Sequence, residues 1–172
     1  METRVLDNAL DQKAFTSLRN LCFGDELMWN YSDIVAMSDA TRATYDDAPP
    51  PHDLEYYHVA KLYDYHQPLT KHLKYVEPVI DFLKVKSLMR ARFIMYPNHG
   101  HIIKHTPHVD YTYEHKAAIL YMNTCNGCTE FDNGDVVESK ENRICIHDGS
   151  KLHNSTTCTD AKVRAVLTIN YF

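Results

Sequence analysis

One histidine and one aspartate stand two residues apart in the second half of the chain, at His108 and Asp110. On a β-strand, residues i and i+2 project from the same face, so this imidazole and carboxylate could meet at one metal ion. Such a pair needs a third ligand from another segment. The best candidate is His153, which follows the turn residues Asp148 and Gly149.

Two histidines and one carboxylate on one side of a metal ion are the ligand set of non-haem Fe(II) oxygenases. The opposite side of the ion then stays open for O2 and for ligands supplied by the substrate. A structural zinc site would instead be closed by four protein ligands. Spacing alone would also allow three unrelated polar residues on a sheet.

Arg164 follows at the start of the last β-type segment, 163–172. A guanidinium can bind a carboxylate through two parallel hydrogen bonds, so Arg164 is a candidate to hold a dicarboxylate co-substrate. Lys151 could compete for the same carboxylate. The alternative role of Arg164 is an ordinary surface salt bridge.

Other polar clusters lie near these residues. His99, His101 and His105 precede His108 and could bind a second metal or a substrate, but without a ligand pattern we expect them to be solvated loop residues. Arg90 and Arg92 alternate toward one strand face, where they could bind an acidic group or form salt bridges.

The pair Cys125 and Cys128 has the spacing of a zinc knuckle or a redox motif. No second pair follows, and the intervening Asn126-Gly127 favours a tight turn, which we expect here. The five cysteines are odd in number, which favours a reducing, intracellular compartment, and we expect a cytoplasmic protein.

The first half of the chain carries helical periodicity. One stripe, with Asn8 as a candidate N-cap and Gly24 just beyond its end, comprises Leu10, Ala14, Leu18 and Leu21. A second stripe, which Pro78 should kink or split, comprises Leu69, Leu73, Val76, Ile80 and Leu83. Residues 39–53 are rich in aspartate and proline and predict a surface loop.

Strand-type segments dominate from residue 88 onward: 88–96, 117–123, 136–138, 143–147 and 163–172. Short strands with regular turns between them predict a sandwich or jelly roll. With helices first and strands second, the fold class is α+β, with helices supporting one face of the β core. No linker is visible, so we expect a single domain over 1–172, with 1–87 mainly helical support with some strands and 88–172 the catalytic β core.

Composition excludes some classes of function. The net charge of −5 gives no support to nucleic-acid or membrane-surface binding. No stretch is long and apolar enough for a membrane span, and the first residues do not resemble a signal peptide. The 12 tyrosines and 11 histidines are numerous, but numbers alone define no site.

The second half of the chain resembles the catalytic core of the 2-oxoglutarate- and Fe(II)-dependent dioxygenases, in particular the prolyl 4-hydroxylase-like branch. The similar segments occur in the order of that family: 92–97, 108–110, 118–123, 129–131, 143–148, His153 and 164–172. The resemblance implies a double-stranded β-helix, the jelly-roll fold of these enzymes. Asn170 stands where that family's pattern has an aromatic pocket residue.

The resemblance also implies roles for single residues. His108, Asp110 and His153 would be the iron ligands and catalytic centre. Arg164 would bind the distal carboxylate of 2-oxoglutarate, Tyr121 would donate a hydrogen bond to that carboxylate, and Tyr96 would line the co-substrate pocket. The implied cofactors are Fe(II), 2-oxoglutarate as co-substrate and O2, with ascorbate as a candidate addition.

The implied reaction is hydroxylation of an unactivated C–H bond with release of succinate and CO2, favouring a prolyl residue in a protein or peptide. Two alternatives remain open: the same chemistry on a free amino acid or nucleobase, and a non-catalytic metal-binding jelly roll. The expected partner is therefore a protein, peptide or small-molecule substrate, and no membrane partner is expected. The sequence leaves the oligomeric state open.

Overall fold

A computed structural model describes residues 2–33 and 54–172 of the chain. The predicted loop at 39–53 lies outside these described residues. Within them, no helix is both long and apolar enough to cross a lipid bilayer.

Most strands of the described residues belong to one large antiparallel sheet with the order β1-β9-β6-β11-β5-β3-β2, with β4 paired to β3. Its strands are β1 Arg4–Leu6, β2 Asn30–Ser32, β3 Tyr57–Asp64, β4 Gln67–Pro68, β5 Leu88–Pro97, β6 Lys116–Tyr121, β9 Ile144–Asp148 and β11 Val163–Tyr171. A smaller sheet, in the order β10-β7-β8, contains β7 Cys128–Phe131, β8 Val136–Glu138 and β10 His153–Ser155. The predicted jelly-roll class, with α+β content, is confirmed.

The two faces of the large sheet differ because side chains alternate along each strand. One face of β5 and β11 contributes apolar residues, such as Phe93 and Leu167, to a core shared with the helices. The other face carries Ile94, Tyr96 and Val166, which pack toward Phe131 and Val137 of the small sheet, among others. Of the candidate site residues, Tyr96, Tyr121 and Arg164 lie on this inner face, between the two sheets.

Three helical segments cover the outer face of the large sheet: α1 Gln12–Phe23, a 3-10 helix Lys71–Val76 and α2 Glu77–Leu83. The apolar stripe of α1 is buried, including Leu18 and Leu21. The second predicted stripe is split: the 3-10 helix ends at Val76, and Pro78 lies in the first turn of α2. A proline fits there because the first turn needs no intrahelical N–H bond.

Two expectations about the first half were wrong or incomplete. The N-cap of α1 is Asp11, whose side chain accepts hydrogen bonds from the N–H groups of Lys13 and Ala14, whereas Asn8 lies outside the helix with φ +51°. The sequence also did not locate β3, which pairs with β5. A register shift between Lys61 and Tyr63 breaks the alternation of β3, and this weakens the strand signal.

Replacing Asp11 with alanine tests the cap directly. The change removes the acceptor for two backbone N–H groups at the start of α1, so the free energy of unfolding should fall by about 1 kcal/mol. Chemical denaturation measures it. The control is Asp25→Ala, an exposed aspartate beyond the end of α1, which should leave stability almost unchanged; equal effects of the two variants would contradict the assigned cap.

Candidate metal centre and co-substrate pocket

The structure brings His108, Asp110 and His153 together. Each offers one ligand atom, and these atoms all lie within 4.8 Å of one another. His108 and His153 exchange two backbone hydrogen bonds, of 2.9 and 3.0 Å, and their ring centroids are 4.6 Å apart. The backbone N–H of Asp110 donates to the carbonyl of Gly149 at 2.9 Å.

The predicted strand around His108 and Asp110 was wrong in one respect. Between β5 and β6 the chain forms only isolated bridges, Lys104 to Thr156 and His108 to His153. Pro107 has no N–H to donate to a ladder, which disfavours a regular strand here. The single bridge at His108 is nevertheless enough to set the first histidine beside the second.

Both histidines are oriented for coordination. The Nδ1 atom of His108 lies 3.3 Å from the carbonyl of Thr106, and Nδ1 of His153 lies 3.0 Å from that of Lys151. A ring that donates its Nδ1–H to a carbonyl presents the lone pair of Nε2, as metal-binding histidines do. Burial, reinforced by His153, lowers the pKa of His108 to about 3, so the ring is neutral and able to bind a metal.

The carboxylate of Asp110 is held on both oxygens. Arg90 Nη2 donates to Oδ1 at 2.6 Å, and Asn170 Nδ2 donates to Oδ2 at 2.8 Å. Burial alone would raise the pKa of Asp110, but Arg90, His153, His108 and Arg92 together outweigh it, and the pKa lies well below its usual range. A carboxylate has about four lone-pair sites, so two remain for a metal.

Sequence reasoning assigned no role to a further histidine at this centre. The ring of His147 lies 4.7 Å from that of His153, and its buried Nε2 atom has no hydrogen-bond partner among the described residues. An unpartnered buried nitrogen beside two histidines and a carboxylate fits a site completed by a bound group. The signal that could have indicated a role for His147 is the alternation of β9, which turns Cys145 and His147 to the inner face.

Arg164 is the most deeply buried charged side chain at the site, with 1% of its surface exposed. It donates to Ser139 Oγ at 2.7 Å and to Thr129 Oγ1 at 2.8 Å. Among the described residues no carboxylate pairs with it, and its rival candidate Lys151 is exposed. A buried, unpaired guanidinium is costly, and it is suited to an anionic ligand such as a carboxylate.

Two tyrosines flank this guanidinium. The Arg164 Cζ atom lies 5.4 Å from the ring centroid of Tyr96 and 5.5 Å from that of Tyr121. The Tyr121 hydroxyl donates to Thr129 Oγ1 at 3.0 Å, so Tyr121 and Arg164 share one partner. Burial raises the pKa of both phenols, which stay neutral hydrogen-bond donors.

The expectation that the histidines of the 99–105 segment are solvated was wrong for His105. Its side chain is 1% exposed, its Nδ1 lies 2.7 Å from Ser155 Oγ, and its ring centroid is 4.8 Å from that of Tyr96. Burial lowers its pKa to about 3. His101 is exposed, and His99 packs edge-on against Tyr56.

In the segment Cys125–Cys128, where we expect a tight turn, Gly127 is needed for a different reason. A Cβ atom on Gly127 would lie 2.6 Å from Arg164 Cδ and 2.5 Å from the carbonyl oxygen of Thr157. The glycine is therefore required because the loop closes over Arg164, not because of a left-handed turn. Cys125 groups with Cys158 and Asp160 rather than with Cys128.

One cavity between the sheets joins these features. Its wall includes the three candidate ligands and His147, then Arg164 with Tyr96 and Thr129, and a further arginine, Arg92. A metal held by His108, Asp110 and His153 (the His-Asp-His triad) would therefore share one cavity with an anion at Arg164.

No protein-family description and no curated protein matches the chain. Solved structures do resemble it, the first being an oxidoreductase of the 2OG-Fe(II) oxygenase family from Burkholderia pseudomallei. That structure is 13% identical, with a TM-score of 0.68 over 98% of this chain and 84% of that chain.

Two further structures show the breadth of the likeness. A prolyl hydroxylase from Trichoplax adhaerens, solved with a hypoxia-inducible-factor peptide, is 12% identical, with a TM-score of 0.63 over 99% of this chain and 83% of that one. The α-ketoglutarate-dependent epimerase SnoN of nogalamycin biosynthesis is 12% identical, with a TM-score of 0.60 over 99% and 76%. At these identities the likeness is one of fold: the chain has the fold of the 2-oxoglutarate/Fe(II)-dependent oxygenases.

Proposed function

We propose that this protein is an Fe(II)- and 2-oxoglutarate-dependent dioxygenase that oxidises an unactivated C–H bond. The observation that carries the proposal is the convergence, in one cavity, of the His108, Asp110 and His153 group with the buried, unpaired guanidinium of Arg164. Ligand sets of this kind belong to non-haem iron sites. The whole chain is proposed to act as one oxygenase domain, in an intracellular, reducing environment that keeps its cysteines free.

Each residue has a part in this proposal. His108, Asp110 and His153 would hold the iron, while Arg90 and Asn170 fix the Asp110 carboxylate. Iron and 2-oxoglutarate, when bound, would supply the activation of O2 and the release of succinate and CO2. Arg164 would bind the distal carboxylate of 2-oxoglutarate in a position that excludes bulk water.

Tyr121 and Thr129 support the same carboxylate pocket. The Tyr121 hydroxyl and Arg164 Nη2 both donate to Thr129 Oγ1, so an incoming carboxylate oxygen could accept from either donor after a small rotation. The ring of Tyr96 also lies near the guanidinium, and Tyr96 lines the cavity. Ascorbate would serve as an added reductant in the assay.

The proposed reaction is hydroxylation of a prolyl residue in a protein or peptide. Support comes from the likeness of fold to prolyl hydroxylases of Trichoplax adhaerens and Pseudomonas putida. The fold is equally shared with an epimerase and a carbocyclase from nogalamycin biosynthesis. A small-molecule substrate, such as a free amino acid, is therefore the second candidate. The net charge of −5 gives a nucleobase in a nucleic acid no support.

Anaerobic addition of Fe(II) and 2-oxoglutarate tests the metal centre. The wild-type protein should develop the weak visible charge-transfer absorption of an Fe(II)–2-oxoglutarate complex, and His108→Ala should abolish it by removing one iron ligand. The control is His66→Asn, an exposed histidine with φ +60° that asparagine tolerates. Absence of the absorption from the wild type would contradict the proposal.

Variants of Arg164 test the co-substrate pocket. Arg164→Lys keeps the charge but loses the two-pronged hydrogen bonding, so 2-oxoglutarate should bind about 10- to 100-fold more weakly, as expected for lost hydrogen bonds to a charged group. Calorimetry on the Zn(II)-loaded protein measures this affinity. Lys151→Ala should bind as the wild type does.

The same titration separates the proposal from a non-catalytic metal-binding jelly roll. Such a module would bind the metal without 2-oxoglutarate, and Arg164→Lys would change no measured affinity.

A turnover assay tests the substrate class. Succinate release that is stimulated by proline-containing peptides, and not by free amino acids, would support the prolyl substrate.

A further inference from the structure

We propose that Arg92, with Thr168, forms a binding site for a carboxylate group of the substrate, which makes the substrate an anionic molecule. This inference rests on the proposed oxygenase function and names the substrate class for the same cavity. It concerns an arginine that neither the metal centre nor the co-substrate pocket uses.

Arg92 and Arg164 lie at two separate positions along one wall of the cavity. In the register of β5 and β11, Arg164 pairs with Tyr96, whereas Arg92 pairs with Thr168. Thr168 follows Arg164 by four residues on the same face of the strand, a separation of about 13 Å between their backbones. This wall of the cavity therefore carries two cationic groups, one for the co-substrate and one without an assigned ligand.

The charge of Arg92 has no partner among the described residues. Its Nε–H donates weakly to Thr168 Oγ1 at 3.4 Å, and no carboxylate forms an ion pair with it. Its neighbour Arg90 differs, because Arg90 is already bound to Asp110 at 2.6 Å and to Asn170 at 3.0 Å. Burial and the nearby Arg90 charge lower the pKa of Arg92, and Tyr57, Asp110 and Tyr96 offset this only in part. An anion bound directly to the guanidinium would therefore relieve a remaining cost.

The position of Arg92 relates the anion to the metal centre. Arg92 and Thr168 line the same cavity as His108, Asp110 and His153. A group bound at Arg92 would set an adjacent carbon of the same molecule near the metal position, while 2-oxoglutarate occupies the Arg164 end. One planar guanidinium and one hydroxyl match the two oxygens of a carboxylate.

The test uses protein loaded with Zn(II) and N-oxalylglycine, an inert 2-oxoglutarate analogue that fills the Arg164 pocket. Proline-containing dipeptides and the common free amino acids, each beside its C-terminal carboxamide, are titrated by calorimetry. At least one acid should bind about tenfold or more tightly than its amide, because the amide loses the charge-assisted hydrogen bonds to Arg92. Arg92→Gln should remove this preference, and Arg92→Lys should retain part of it.

Two controls separate the possible sources of an effect. Arg19→Gln removes an exposed arginine that pairs with Glu141, and it should leave acid binding unchanged. N-oxalylglycine affinity should be the same in Arg92→Gln and the wild type; a loss there would assign Arg92 to the co-substrate and overturn the proposal. If Arg92→Gln does not fold, Thr168→Val is the deciding variant, and it should weaken the acids more than their amides.

The proposal is also overturned if no acid in the panel binds more tightly than its amide, or if Arg92→Gln leaves that preference intact. Failure of the oxygenase function would look different. In that case the wild-type protein would bind no N-oxalylglycine in the presence of metal, and the acid–amide comparison, repeated on the metal-free protein, would still decide the role of Arg92.

Discussion

The antiparallel pairing of β5 with β11 is the constraint on which the site depends. Alternation along these two long strands sends Phe93 and Leu167 into the helix-covered core. It turns Arg92, Tyr96 and Arg164 to the opposite face, toward the small sheet. The outer face supplies the burial that stabilises the sheet, and the inner face can therefore carry charged groups that do not stabilise it.

Several buried polar groups between the two sheets carry an energetic cost. Arg164 is buried without a carboxylate, and the Nε2 atoms of His105 and His147 are buried without a hydrogen-bond partner in the described parts of the chain. Such groups are retained at sites where a ligand completes their interactions. Gly127 belongs to the same arrangement, because its missing side chain lets the loop close over Arg164.

The sequence predicted the fold class and most core strands because periodicity and turn residues are local signals. The strand boundaries in the second half differ by only one or two residues from 88–96, 117–123, 143–147 and 163–172. The predicted N-cap at Asn8 was wrong because Asp11, three residues later, caps the helix instead. Strand β3 was missed because a register shift interrupts its alternating pattern. The sequence-based prediction also failed at His105, since burial of an irregular segment depends on long-range packing against Ser155.

The candidate site was predictable to a similar degree. Residue type and order in the sequence identify the candidate ligands and the candidate carboxylate-binding group: His108, Asp110, His153 and Arg164. The residues that hold these side chains in place have no such signal in the sequence. Ser139 and Thr129 around Arg164 are ordinary residues in sequence, and only the contact between the two sheets gives them a role. Asn170 departs from the family's aromatic pattern, and its Nδ2 donates a hydrogen bond to Asp110 Oδ2.

The most direct measurement is a crystal structure with Mn(II) and N-oxalylglycine bound, with the metal located by its anomalous scattering. The proposed function predicts one ion coordinated by His108, Asp110 and His153, with the far carboxylate of the analogue on Arg164. A metal at another place, such as the group of Cys125, Cys158 and Asp160, with the triad left empty, would contradict it.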